Sequence, residues 1–209
     1  MEEGRMTSAD SSARLDAMEA ELVRLRRERQ LIGKIAETVD LPKLLELLTA
    51  EIDLVGDFDA YMVNFADERR ENLVCEMVKP PADFVGMEQA YLKYKFPMDL
   101  VDANVEAYGQ RYVVYVDKNN VVNFEGDTPL RFERWLLESL VVIPIRYEES
   151  PDEEPLGTVM LCRRKGPIDR AWVVAIEQLL ALFRRQMKLA FMYSEVQEHE
   201  RQVRLINDE

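Results

Sequence analysis

Apolar residues crowd the stretch 140–163 and divide it into two extended runs. In LVVIPIRY (140–147), Leu140, Val142 and Pro144 alternate with Val141, Ile143 and Ile145, so a strand here would present apolar side chains on both faces. Such a strand belongs inside a sheet. EESPDEEP (148–155) has too little apolar surface to fold inward and reads as a solvated loop, and LGTVMLCR (156–163) returns to β-branched and apolar residues. The two runs predict an antiparallel hairpin. Arg163-Arg164-Lys165-Gly166-Pro167 then breaks the strand. Asp169 is placed to cap a helix in which Trp172, Ile176, Leu179, Leu180, Phe183, Met187 and Phe191 recur at three- and four-residue steps, a stripe that must lie on the sheet.

The pattern nearer the start differs. Residues 1–13 read as a loose tail, and a helix with heptad spacing is expected over 14–39. Leu15, Leu22, Arg29 and Ala36 fall on one heptad position, and Met18, Leu25, Ile32 and Val39 three residues later. Charged residues crowd the positions between them, which leaves a narrow apolar stripe suited to a partner helix. Asp40-Leu41-Pro42 supplies a cap and a first-turn proline for an amphipathic helix through Leu44, Leu45, Leu48 and Ile52, ending near Gly56. A second hairpin is expected from strands at 58–65 and 73–78 around a polar turn at 67–72. Beyond Pro80-Pro81 the pattern weakens. Helices are expected over 87–94 and 100–108, the second ending at Gly109, followed by a strand at 111–116, a surface loop over 117–130 and a short helix at 130–137.

Helices segregated from mainly antiparallel strands imply an α+β fold. The 209 residues, 47% of them hydrophobic, suffice for one domain with extensions. The net charge of −13 argues against a broad nucleic-acid interface, because phosphate neutralisation needs basic residues. Two cysteines in separate predicted strands fit a reduced, cytoplasmic setting, and no apolar run is long enough for a membrane span.

Three segments resemble GAF domains, the sensory modules of many bacterial signalling proteins. Gly109 to Asp117 (GQRYVVYVD) is similar to the family's "tGepvvvpD" strand, and Ser139 to Ile145 (SLVVIPI) to its "Svl.vPl" strand. Leu156 to Leu161 (LGTVML), with Ile168-Asp169 and the long helix, is similar to the family's closing segment. The resemblance covers about residues 40–192 and implies an antiparallel sheet with the terminal helices on one face and a pocket roofed by loops and helices on the other. Residues 193–209 would then form a C-terminal signalling helix leading to an output domain outside this chain.

Chemistry narrows the functions such a fold can host. The lone histidine, His199, lies in the outer helix, so haem, bilin or a histidine-based metal site would lack its ligand inside the domain. No metal and no cofactor is expected. Cys75 and Cys162 lack the clustered arrangement of the sulfoxide reductases built on this fold, and no nucleophilic triad or phosphate loop is present. The chain is expected not to be an enzyme. The Asn-Lys…Phe…Asp-Glu signature of phosphodiesterase-type GAF domains is replaced by Cys162-Arg163-Arg164-Lys165-Gly166. By position, Tyr91, Tyr94, Arg111, Tyr115, Lys118, Phe124, Arg131 and Trp135 are the candidates to bind a small anionic or nucleotide-like ligand, rings stacking and cations pairing. Alternatively the rings fill a second core and the cations are solvated. Leu182, Leu189, Val196 and Val203 recur every seven residues, with Arg185, Met192, His199 and Ile206 three positions after them. Together with Leu15, Met18, Leu22 and Leu25 they predict a parallel homodimer. Two functions stay open, a ligand-binding regulatory module and a ligand-free module for dimerisation and relay.

Overall fold

The computed structural model describes residues 8–84, 86, 88–146 and 153–207. Helix α1 (Ser8–Glu37) begins inside the stretch read as a tail, because Ser8 to Arg14 contains nothing that stops a helix and an exposed helix needs no apolar stripe. Helix α2 (Leu41–Val55) starts where its cap predicts: the Asp40 carboxylate accepts from the Lys43 N–H at 3.0 Å, with Pro42 in the first turn. Strands β1 (Ala60–Ala66) and β2 (Asn72–Lys79) form the expected first hairpin.

The stretch after Pro81 departs most from expectation. The helix expected over 87–94 shortens to α3 (Glu88–Tyr91), and a small strand, β3 (Lys95–Pro97), extends the sheet beside β2. Helix α4 (Ala103–Gln110) passes through Gly109 and ends at Arg111, whose φ of 62° takes the left-handed position expected of the glycine. Strand β4 (Val114–Asp117) and helix α5 (Asp127–Arg134) follow, each displaced by about three residues from its predicted start. The predicted 117–130 loop holds a single 3₁₀ turn, Val121–Asn123, and the first turn of α5. Strands β5 (Ser139–Ile145) and β6 (Gly157–Arg163) form the second hairpin, and α6 (Arg170–Asn207) closes the described chain, with Asp169 accepting from the Ala171 N–H at 2.8 Å.

The six strands run in the order β3-β2-β1-β6-β5-β4, every pair antiparallel. The β1–β2 ladder has a bulge at Val63/Asn64, and across the unbroken β1–β6 ladder a Cβ on Gly157 would lie 1.9 Å from the Asn64 carbonyl oxygen. Only glycine fits there. One sheet face carries Val63, Phe65, Val141, Ile143, Val159 and Leu161 and packs on α2 and α6. The other carries Met62, Cys75, Leu140, Val142, Met160 and Cys162 beneath the segment 88–137. The alternation read in 140–145 is therefore realised, with α2 and α6 on one side and the insertion on the other.

Among the described side chains, helix α1 touches the domain over its second half. Leu31 and Ile35 are buried, Arg27 pairs with Glu51 of α2 at 2.5 Å, and Gln186 of α6 donates to the Thr38 carbonyl at 2.7 Å. Arg24 to Leu31 face Ala175 to Leu182, so α1 and α6 run parallel and project free arms from opposite ends of the domain. The heptad residues Met18, Leu22, Leu25 and Ile32 all point away from the domain.

Candidate functional site

The insertion face buries what the sequence pattern hides, a polar chain that runs from the sheet into α4 and α5. Asn64 stands in the apolar strand β1 and Thr158 just ahead of the apolar run Val159 to Cys162 of β6, and both face the insertion. Asn64 Nδ2 donates to Thr158 Oγ1 and to Asn104 Oδ1, each at 3.1 Å. Asn104 Nδ2 in turn donates to Asp102 Oδ1 at 3.0 Å, and Asp102 also accepts the Asn104 N–H as the cap of α4. Thr128 Oγ1 donates to Asp102 Oδ2 at 2.6 Å while accepting from the Ala103 N–H at 3.1 Å, which ties the start of α5 to the start of α4.

Arg131 ends this chain. Its guanidinium is fully buried, with Nη2 3.4 Å from Asp102 Oδ2 and Nε 3.3 Å from Asp127 Oδ2. Nη1 faces sulfur, 2.8 Å from Met160 Sδ and 3.7 Å from Met62 Sδ, and the Phe96 ring lies 5.1 Å from Cζ. Thioether sulfur is a weak acceptor, so one end of the fork is held by its surroundings without a strong partner. Burial works against the charge, but Asp102 and then Asp127 outweigh it and hold the guanidinium above its ordinary range. Trp135, also fully buried, meets Tyr91 edge to face at 5.3 Å, and its Nε1 has no hydrogen-bond partner among the described residues. The same holds for Asn64 Oδ1.

Of the eight ligand candidates, Tyr91, Phe124, Arg131 and Trp135 are buried in this core. Tyr94 is half exposed, its ring against Phe96 at 4.8 Å, and Lys118 is exposed and pairs with Glu138 at 3.1 Å. Arg111 serves as the end residue of α4. Tyr115 is a correction: it pairs in register with Val141, whose side chain faces α2 and α6, so its ring lies on the opposite side of the sheet from Trp135. Asp102, Asn104, Asn64, Thr128 and Thr158 were not anticipated, although one polar residue inside an apolar strand is a readable signal for two of them.

Both thiols, Cys75 and Cys162, line this face and are pushed up to about 12, mainly by burial. Of the predicted dimer residues, Met18, Leu22, Leu25, Leu189, Met192, Val196 and Val203 are exposed, while Leu182 is half buried against the domain. The side chains of Leu15, His199 and Ile206 lie outside the described residues. Among the described residues, no group of three His, Cys, Asp or Glu side chains is placed to hold a metal ion, and no helix is long and apolar enough to cross a membrane.

No protein-family model and no curated protein matches the sequence. Solved structures do match the fold. The GAF domain of a two-component sensor histidine kinase from Bacillus halodurans superposes with a TM-score of 0.62 at 16% identity, over 75% of this chain and 99% of that one. Residues 122 to 287 of a methyl-accepting chemotaxis protein give 0.60 at 19% identity, over 78% of this chain and 97% of that one. A free methionine-R-sulfoxide reductase from Neisseria meningitidis, solved with its substrate, gives 0.56 at 14% identity, over 79% and 88%. Strand order, helix placement and these superpositions agree that the chain has the GAF fold found in bacterial signalling proteins.

Proposed function

We propose that the chain is a dimeric sensory domain that binds a small anionic or nucleotide-like molecule on the insertion face and relays its state through α6 to a covalently linked output domain. The observation that carries this reading is Arg131: a fully buried cation with one end of its fork against sulfur, on the same helix end as Trp135, whose buried indole N–H has no partner among the described residues. A carboxylate or phosphate would offer Nη1 a charged acceptor in place of sulfur, and the indole N–H an acceptor of its own. The free arms at opposite ends give a change in the domain a route in at α1 and out at α6. Helices with exposed 3.5-residue stripes convert such a change into rotation or splay against a partner.

A non-catalytic role fits the thiols. With both near 12 and buried, neither supplies the thiolate that reductase chemistry requires. A cyclic nucleotide is a narrower version of the same reading, and the missing signature disfavours it. The second reading, a ligand-free module for dimerisation and relay, is favoured by one feature: Tyr91, Phe124 and Trp135 already fill the space between insertion and sheet.

A thermal-shift screen of small carboxylates, phosphates and nucleotides separates the two. A ligand at one hundred times its dissociation constant adds about 2.7 kcal/mol of stability. The sensor reading predicts a stabilising anion whose effect is lost in Arg131→Lys, which keeps the charge beside Asp102 but loses the planar fork. Stabilisation by no anion, or equal stabilisation of both proteins, rejects it.

A further inference from the structure

We infer that Arg163 and Arg164 form a two-sided staple that couples the insertion to the first turn of α6, so that a change at Trp135 reaches the output helix through these two positioning residues. This rests on the reading of α6 as the output helix and supplies the step between site and helix.

Alternation at the end of β6 turns neighbouring residues to opposite faces of the sheet. Val159 and Leu161 pack toward α2 and α6, Met160 and Cys162 toward the insertion, and the two arginines continue the series. Arg163 reaches the helix side. Its Cζ lies 5.0 Å from the centre of the Trp172 ring, Nη1 donates to the Pro167 carbonyl at 3.2 Å, and Nη2 lies 3.8 Å from Asp57 Oδ2. Trp172 stands in the first turn of α6 and is fixed there from two more sides. It meets Phe58 edge to face at 5.5 Å, and it lies so close to Gly56 that an added Cβ would be 2.7 Å from the ring.

Arg164 reaches the insertion side. Nε donates to the Trp135 carbonyl at 2.8 Å, Nη2 lies 2.7 Å from Asp83 Oδ1 as a charge contact without hydrogen-bond alignment, and Cζ lies 5.6 Å from the centre of the Phe84 ring. Trp135 follows Arg131 by about one turn at the end of α5. Arg164 therefore holds the backbone of the residue whose indole N–H has no partner among the described residues.

The charges around this basic run favour a staple over a second anion site. Asp57 and Asp83 pair with the two guanidinium groups, Asp59 accepts the Arg164 N–H at 2.7 Å, and Glu138 accepts the Gly166 N–H at 2.7 Å. A free anion would have to displace carboxylates already in place. A planar guanidinium anchored at two points also holds those points at a fixed separation, which a flexible ammonium does not.

The chain's two tryptophans sit at the two ends of the staple, so each end can be read without any ligand. Trp135→Phe leaves Trp172 as the sole indole, and Trp172→Phe leaves Trp135. In the first background Arg164→Gln, whose side-chain partners all lie outside α6, is expected to raise acrylamide quenching of Trp172 roughly twofold; in the second, Arg163→Gln does the same for Trp135. Leu73→Ala, a cavity at the opposite end of the sheet from Cys162, controls for general loosening and should leave both indoles unchanged. If each indole responds only to its own neighbouring arginine, or responds equally to Leu73→Ala, the inference is overturned. Should Arg164→Gln not fold, Asp83→Asn, at an exposed carboxylate, decides by the same criterion with a smaller expected rise at Trp172. No anion enters this experiment, so its failure leaves the sensor reading to the thermal-shift screen.

Discussion

The two faces of the sheet solve the same packing problem with different materials. Against α2 and α6 the sheet buries Leu44, Leu48, Ile52, Phe65, Ile143 and Phe183, with no buried ion pair among the described residues of that layer. Against the insertion it buries Asp102, Arg131, Asn64, Asn104, Thr128 and Thr158 together with apolar side chains. Buried ion pairs rarely stabilise more than well-packed hydrocarbon of the same volume, so stability alone gives no reason for the second arrangement. One face is packed with hydrocarbon, and the other packs hydrocarbon around a buried, hydrogen-bonded ion pair.

Substitutions can break or sharpen this contrast. The largest effect is expected at Arg131→Ala, which leaves Asp102 charged and buried without its counter-ion and should lower unfolding free energy by about 3–5 kcal/mol in urea titrations. Pairing Arg131→Met with Asp102→Asn removes both charges while keeping an acceptor at the cap of α4, and should recover most of that loss. If the double variant is no better than Arg131→Ala, the cost lies in packing and the contrast between the faces fails. On the helix face, Leu44→Ala creates a cavity and nothing else. A loss of about 3 kcal/mol is expected, with no dependence on pH between 5 and 8.

Trp135→Phe keeps most of the apolar volume and deletes an N–H that has no partner among the described residues, so only about 1 kcal/mol should be lost. A clearly larger loss would show that the indole is already hydrogen-bonded in solution. The smallest effect belongs to Glu138, whose carboxyl the Gly166 N–H, at 2.7 Å, and then Lys118 hold below its ordinary value of 4.5. A carboxyl lowered in the folded state contributes stability above the unfolded value and loses it as pH falls through the folded one. Glu138→Gln should therefore melt slightly below wild type at neutral pH, and the two curves should converge as pH drops below about 4.

Much of the architecture was legible because its elements satisfy one rule at a time. The alternation of Leu140 to Ile145, the cap and proline at Asp40 and Pro42, and the three- and four-step stripe from Trp172 to Met187 each have one structural solution. Strand β3 was not legible: Lys95–Pro97 is three residues long, holds no β-branched residue and exists because β2 offers it a ladder. Gly109 misled because Arg111 tolerates the left-handed conformation at the end of α4. On the insertion face, Arg131 and Trp135 were singled out by position, but the partners of Arg131 were not. Asp102 and Thr128 look like ordinary capping residues in sequence, and only the tertiary fold turns them inward to meet each other.

The most direct test of the sensor account is native mass spectrometry of the freshly purified protein. The account predicts a dimer carrying additional, non-covalent small-molecule mass, and the loss of that mass in Arg131→Lys. A bare dimer would contradict the ligand-binding claim and favour the relay reading, and a bare monomer would contradict both.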